Sequence, residues 1–207
     1  MTRVKFCGLT RPREIEAVNR LRPDYVGFVF VPWSKRFLEI SEARELRKGL
    51  HPSVKAVGVF VDASPEVVAE AAGEGIIDLV QLHGEEDGNY IDELRKLTSK
   101  PVIQAFRIEA EADVERARAS RGDLILLDAG AGAGKTFDWS LIGSVGRPYF
   151  LAGGLDAENA GEAVGRLHPY GLDVSSGIET GGEKDEEKMA AFMAAVETWE
   201  QGKERGR

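Results

Sequence analysis

Apolar residues are gathered into eight short unbroken runs, at positions 4–6, 25–31, 54–61, 79–82, 102–106, 124–127, 149–152 and 172–174, and the stretches between them carry apolar residues at helical spacing. Runs without polar alternation fit strands buried on both faces, as in a parallel sheet. Parallel neighbours need a crossover of about a dozen residues or more, which the helical stretches supply. Ser64-Pro65-Glu66 marks a helix start, with a capping hydroxyl before proline at the first helical position, and Thr10-Arg11-Pro12 nearly repeats it. A further helix is expected from near Asp156. The last is expected from near Asp185, where Met189, Phe192, Met193 and Val196 form a stripe for core packing. Eight strand-helix units predict a single (β/α)8 TIM barrel over residues 1–200, followed by a charged, frayed tail at 201–207. An open doubly wound sheet would show similar runs; the eighth unit and the placement of two glycine-rich loops favour closure.

The 207 residues and 43% hydrophobic content suit one domain with a substantial core. No window reaches the roughly 20 apolar residues of a membrane span, and Met1-Thr2-Arg3-Val4-Lys5 leads into a strand rather than a secretory leader, so a soluble cytoplasmic protein is expected. A single cysteine forbids an internal disulfide and suits a reducing compartment. The net charge of -8 gives no attraction for nucleic acid or a membrane surface, so an anionic small molecule would need a locally positive pocket. Monomer and homodimer fit this composition equally.

In a TIM barrel the reacting groups stand where strands run out into the following loops. Those positions hold Cys7, His83, Asp128, Gly153-Gly154 and Ser175-Ser176-Gly177. The two late glycine-rich loops follow strands seven and eight, the recurring phosphate site of such barrels, where backbone N–H groups can approach an anion closely. A thiol ending strand one and a carboxyl ending strand six suit acid–base work on a substrate held between them. Taken alone, Cys7 reads as a small buried hydrophobe and Asp128 as a turn cap; their shared rim with the phosphate loops argues for chemistry. The stretch 129–136, Ala-Gly-Ala-Gly-Ala-Gly-Lys-Thr, imitates a nucleotide-binding P-loop, but Ala129 stands where that motif needs glycine and the bulky Phe137 follows where a helix should open. A loop folding over substrate, with Lys135 available to an anion, fits better.

Lys5-Phe-Cys-Gly-Leu-Thr10, Gly27-Phe-Val-Phe30 with Ser34-Lys-Arg36, Val59-Phe-Val61, Gln81-Leu-His-Gly-Glu85, Leu127-Asp128, Gly134-Lys-Thr-Phe-Asp-Trp139, Ala152-Gly-Gly-Leu155 and Asp173-Val-Ser-Ser-Gly-Ile-Glu179 stand in this order. Together they resemble the ordered motifs of the phosphoribosylanthranilate isomerase family over almost the whole chain. The resemblance implies an Amadori rearrangement in tryptophan biosynthesis, with a phosphosugar substrate, no cofactor and no metal. It makes Asp128 the general acid that opens the furanose ring and Cys7 the base that removes the C2′ proton. For those roles the carboxyl should be held up and the thiol pulled down from their ordinary values. Arg36 would pair with the anthranilate carboxylate. His83 and Asp173 would line the site, and Gly153, Gly154, Ser176 and Gly177 would bring backbone donors to the phosphate. Asp138-Trp139 would anchor the loop after strand six. The related histidine-pathway aminoaldose is compatible with the same residues. A phosphosugar-binding barrel without turnover would keep the glycine loops but has no reason to hold both Cys7 and Asp128.

Three places depart from the family pattern. Trp33 stands where a small or basic residue is commoner, Ala129 and Ala133 replace glycine or polar residues, and Gly181-Gly182 replaces a usual proline. The glycine pair is expected to loosen the segment before the last helix.

Overall fold

The computed structural model describes residues 1–128, 130, 139–142 and 145–205. Of the sequence features weighed above, Ala129, Ala133, Lys135, Phe137 and Asp138 lie outside the described residues. Strands and helices alternate as β1 (Arg3–Cys7), α1 (Pro12–Leu21), β2 (Tyr25–Val29), α2 (Ile40–Gly49), β3 (Lys55–Phe60), α3 (Pro65–Gly73), β4 (Leu79–Leu82), α4 (Gly88–Leu97), β5 (Val102–Arg107), α5 (Glu111–Arg118) and β6 (Leu124–Asp128). A 3-10 turn (Trp139–Ile142), β7 (Tyr149–Ala152), α6 (Ala160–Leu167), β8 (Gly171–Val174), a second 3-10 turn (Ser176–Ile178), a hairpin of β9 (Glu179–Thr180) and β10 (Glu183–Lys184), and α7 (Glu186–Arg205) complete it. The first eight strands pair in sequence order as a closed parallel barrel. Closure comes from β8 against β1, in a register that sets Asp173 beside Lys5.

Strand parity separates two environments. Phe6 points out of the barrel and meets Phe192 of α7 edge-on, with ring centroids 6.4 Å apart. That ring belongs to the stripe expected on the last helix, in which Met189, Phe192 and Val196 are buried and Met193 packs against the core. Inside the barrel Tyr25, Val57, Leu79, Ile103, Leu126 and Phe150 form an apolar plug. Burial of each such side chain contributes about 1.5–3 kcal/mol. Above the plug stand the buried polar residues Lys5, Gln81 and Asp173. The apolar plug thus closes the bottom of the barrel and the polar layer floors a site at the carboxyl ends of the strands.

Several local expectations need correction. Pro65 does open α3, but the Ser64 hydroxyl makes no capping hydrogen bond. At α1 the carboxylate of Glu14 performs the capping, accepting from the N–H groups of Thr10 at 2.6 Å and Arg11 at 3.1 Å. The sixth helix begins at Ala160 rather than near Asp156, because Asp156 Oδ1 accepts from the N–H groups of Glu158 and Asn159 and holds a turn there. The last helix is Glu186–Arg205, and residues 206–207 of the expected tail lie outside the described residues. Gly181 and Gly182, with φ of 61° and 86°, make the tight turn of the β9–β10 hairpin instead of loosening the chain. Among the described residues no helix is long and apolar enough to cross a membrane.

Candidate active site

At the carboxyl ends of the strands lies a cavity of about 530 Å³. Cys7 from β1 and Asp128 from β6 both line it, together with His83, Asp173 and Arg36. Gly153, Gly154 and Ser176 line it from the loops after β7 and β8, while Val29, Val31, Val59, Val61 and Trp33 supply an apolar wall. Of the expected site residues, Gly177 alone stands apart. It packs behind the loop, where an added Cβ would fall 1.9 Å from the carbonyl oxygen of Leu155. Gly177 therefore lets the two phosphate-candidate loops touch backbone to backbone. Gly177→Ala is expected to destabilise the fold by about 1–3 kcal/mol, the usual cost of overpacking, seen as a lower urea midpoint.

Asp128 is held by two donors. Gly130 N–H donates to Oδ1 at 2.9 Å and His83 Nε2 lies 3.3 Å from Oδ2. Gln81 Nε2 lies 3.1 Å from His83 Nδ1; with that nitrogen as acceptor, the hydrogen sits on Nε2 and faces Asp128. Burial would lift the Asp128 carboxyl, but the hydrogen bonds from His83 and Gly130 and the positive charge of Arg107 hold it below the ordinary carboxylate range. Burial pushes the Cys7 thiol up, more than the charges of Lys5 and Lys184 pull it down. Both directions reverse the expectation drawn from the chemistry. The reason is that hydrogen-bond donors outweigh burial at the carboxyl, whereas at the sulfur burial and Asp173 outweigh the two lysines.

Arg36 is already engaged. Its Nε and Nη2 donate to the two carboxylate oxygens of Glu179 at 2.6 and 2.9 Å. Lys184 Nζ donates to Glu179 Oε1 at 2.7 Å and to the carbonyl of Ser175 at 3.0 Å, and the Ser175 hydroxyl donates to the carbonyl of Cys7 at 3.0 Å. Burial would raise the Glu179 carboxyl, but the two cations bring it down to about 2. The hairpin turn at Gly181-Gly182 is what returns Lys184 to this cluster. Trp139 sits in its 3-10 turn, packed on the core, with the Arg166 guanidinium 5.4 Å above its ring, which suits an anchor.

The N-(5′-phosphoribosyl)anthranilate (PRA) isomerase family profile matches residues 4–195. The chain belongs to the phosphoribosylanthranilate isomerase family. A relative named N-(5′-phosphoribosyl)anthranilate isomerase from Endomicrobium trichonymphae is 41% identical over 194 residues, covering 91% of this chain and 95% of the relative. The crystal structure of phosphoribosyl anthranilate isomerase from Thermotoga maritima superposes with a TM-score of 0.88 at 38% identity, covering 96% of this chain and 100% of that one. A phosphoribosyl anthranilate isomerase in complex with reduced 1-(o-carboxyphenylamino)-1-deoxyribulose 5-phosphate superposes with a TM-score of 0.86, at the same 38% identity and the same coverage of 96% and 100%.

Within this isomerase-family site, sequence reading did not reach Lys184, and it quoted Lys5, Gln81 and Glu179 only as parts of motifs. Lys5 carried a usable signal, since it lies two residues from Cys7 in a strand and so faces the same side. Gln81 stands in the same relation to His83. Glu179 and Lys184 carried none, because a hairpin after the barrel decides where they fall.

Proposed function

We propose that this chain catalyses the Amadori rearrangement of N-(5′-phosphoribosyl)anthranilate to 1-(2-carboxyphenylamino)-1-deoxyribulose 5-phosphate in tryptophan biosynthesis. The observation that carries the reading is the meeting of Cys7, Asp128 and Arg36 in one cavity with the glycine loops after β7 and β8. Asp128 gives its proton to the furanose ring oxygen as the bond from that oxygen to C1′ breaks and the anilino nitrogen forms a Schiff base. The Cys7 thiolate then takes the C2′ proton, and the electrons of that C–H bond move to give an enolamine, which tautomerises to the ketone. Backbone N–H groups about Gly153, Gly154 and Ser176 receive the phosphate. Gln81 Oε1 is buried and without a partner among the described residues, which makes it a ready acceptor for a sugar hydroxyl.

Because Glu179 occupies the Nε–Nη2 edge of Arg36, the end-on Nη1–Nη2 edge is the one left for the anthranilate carboxylate. The valine wall and Trp33 then flank the aromatic ring. Incubation of the purified chain with phosphoribosylanthranilate, followed by loss of its fluorescence, tests the activity directly. A decay rate independent of protein concentration would refute it. Arg36→Met is expected to raise KM about 10-fold or more while barely changing the inhibition constant of a phosphosugar without the aromatic ring. Equal losses for both would remove Arg36 from ring recognition.

A further inference from the structure

The proposed reaction needs a thiolate in a cavity that fills with a polyanionic substrate, carrying a phosphate and a carboxylate. Enclosure and added negative charge both favour the neutral thiol. The protein places a cation beneath it. Lys5 and Cys7 lie on the inner face of β1, and the Lys5 side chain is 0% exposed. Its ammonium donates to Asp173 Oδ1 at 3.0 Å and Oδ2 at 2.9 Å. A Cβ placed on Gly27 would lie 2.7 Å from Cys7 Sγ and 3.2 Å from Lys5 Nζ, so sulfur and ammonium share the space that the missing side chain of Gly27 leaves, and the ammonium hydrogen-bonds the sulfur. The register of β1 with β2 sets Gly27 directly beside Cys7.

We propose that Lys5 is a positioning residue of the isomerase, its buried ammonium being the fixed countercharge that keeps Cys7 available as thiolate while Gly27, lacking a side chain, leaves room for the two groups beside it. The assignment rests on the isomerase reading given above. Burial works against the Lys5 ammonium, but Asp173 and the sulfur of Cys7 together hold its pKa above the ordinary lysine value. Around the sulfur, Lys5 on β1 and Lys184 on β10 favour the thiolate, whereas Asp173 on β8 opposes it. Arg36, His83 and Asp128 face the same cavity from farther around the rim.

Cys7 is the one cysteine in the chain, so the pH dependence of alkylation by iodoacetamide reports its titration without any assay of turnover. Lys5→Met is expected to move the alkylation midpoint up by about one pH unit or more, with about a tenfold slower reaction at neutral pH. Asp173→Asn, which leaves the ammonium without its carboxylate, is expected to move it down. Should the single lysine variant fail to fold with Asp173 stranded, Lys5→Met/Asp173→Asn removes both charges, and its midpoint is expected above that of wild type by a smaller margin. In the folded lysine variant kcat is expected to fall about tenfold with KM nearly unchanged. Midpoints equal to wild type in the variants lacking Lys5 would overturn the assignment even if the enzyme is active. A shifted midpoint in a chain without isomerase activity would instead refute the isomerase reading.

Discussion

Asp128→Asn is expected to lower kcat for phosphoribosylanthranilate by about 10²–10⁴-fold, the usual contribution of a general acid. Asparagine has the size of aspartate, and its carbonyl oxygen can still accept from Gly130 N–H or His83 Nε2, so the loss falls on proton donation rather than on shape. The pH profile carries the finer test. With Asp128 held below and Cys7 above their ordinary values, the acid titrates at lower pH than the base. The active form, protonated Asp128 with ionised Cys7, is then a minor species whose fraction is constant between the two values. It falls as pH drops below the carboxyl value, because the thiolate is lost without further gain of acid. It falls again above the thiol value, because the acid is lost without further gain of thiolate. Asp128→Asn is expected to abolish that falling alkaline limb of kcat/KM, leaving the residual rate to rise with pH until the thiol is ionised. A variant with near-normal rate and both limbs intact would remove Asp128 from the chemistry.

Cys7→Ala is expected to lower turnover by about 10²-fold or more. The fold should persist, since the change removes one sulfur from a cavity wall and leaves the core clusters about it whole. Here the acidic limb is the one that disappears: the residual rate follows protonated Asp128 alone and declines with rising pH through the carboxyl titration. Steady-state rates of wild type and the variant across pH, with circular dichroism of each, make the comparison. Retention of both rate and acidic limb would show that another group takes the C2′ proton. The substrate itself acts on the two groups in opposite senses. Its negative charges and the water it displaces favour protonated Asp128, which helps the acid, and disfavour the thiolate, which harms the base. That imbalance is why the buried ammonium of Lys5 matters to one member of the pair and not to the other.

The barrel was legible because strands buried on both faces in a parallel sheet leave short unbroken apolar runs, and those runs need no knowledge of partners to be read. Cys7, Asp128 and the paired glycines of the β7 loop were legible for a related reason: they stand at the ends of such runs, and the fold class alone brings strand ends to a common rim. The start of α6 was not, since Asp156 can cap a helix or hold a turn and only its hydrogen bonds decide between them. Nor was the tight hairpin at Gly181-Gly182, because two glycines permit a sharp turn as readily as a loose one. Local composition carries no record of which distant charge a side chain will meet. Arg36 could be seen as a cation at the site, but its hold on Glu179 depends on a hairpin 143 residues away. Lys5 meets Asp173 across 168 residues through the register that closes β8 on β1. The titration of Cys7 and Asp128 follows from these long-range meetings and from enclosure, both properties of the packed barrel, which is why chemistry inferred from residue types alone had their directions reversed.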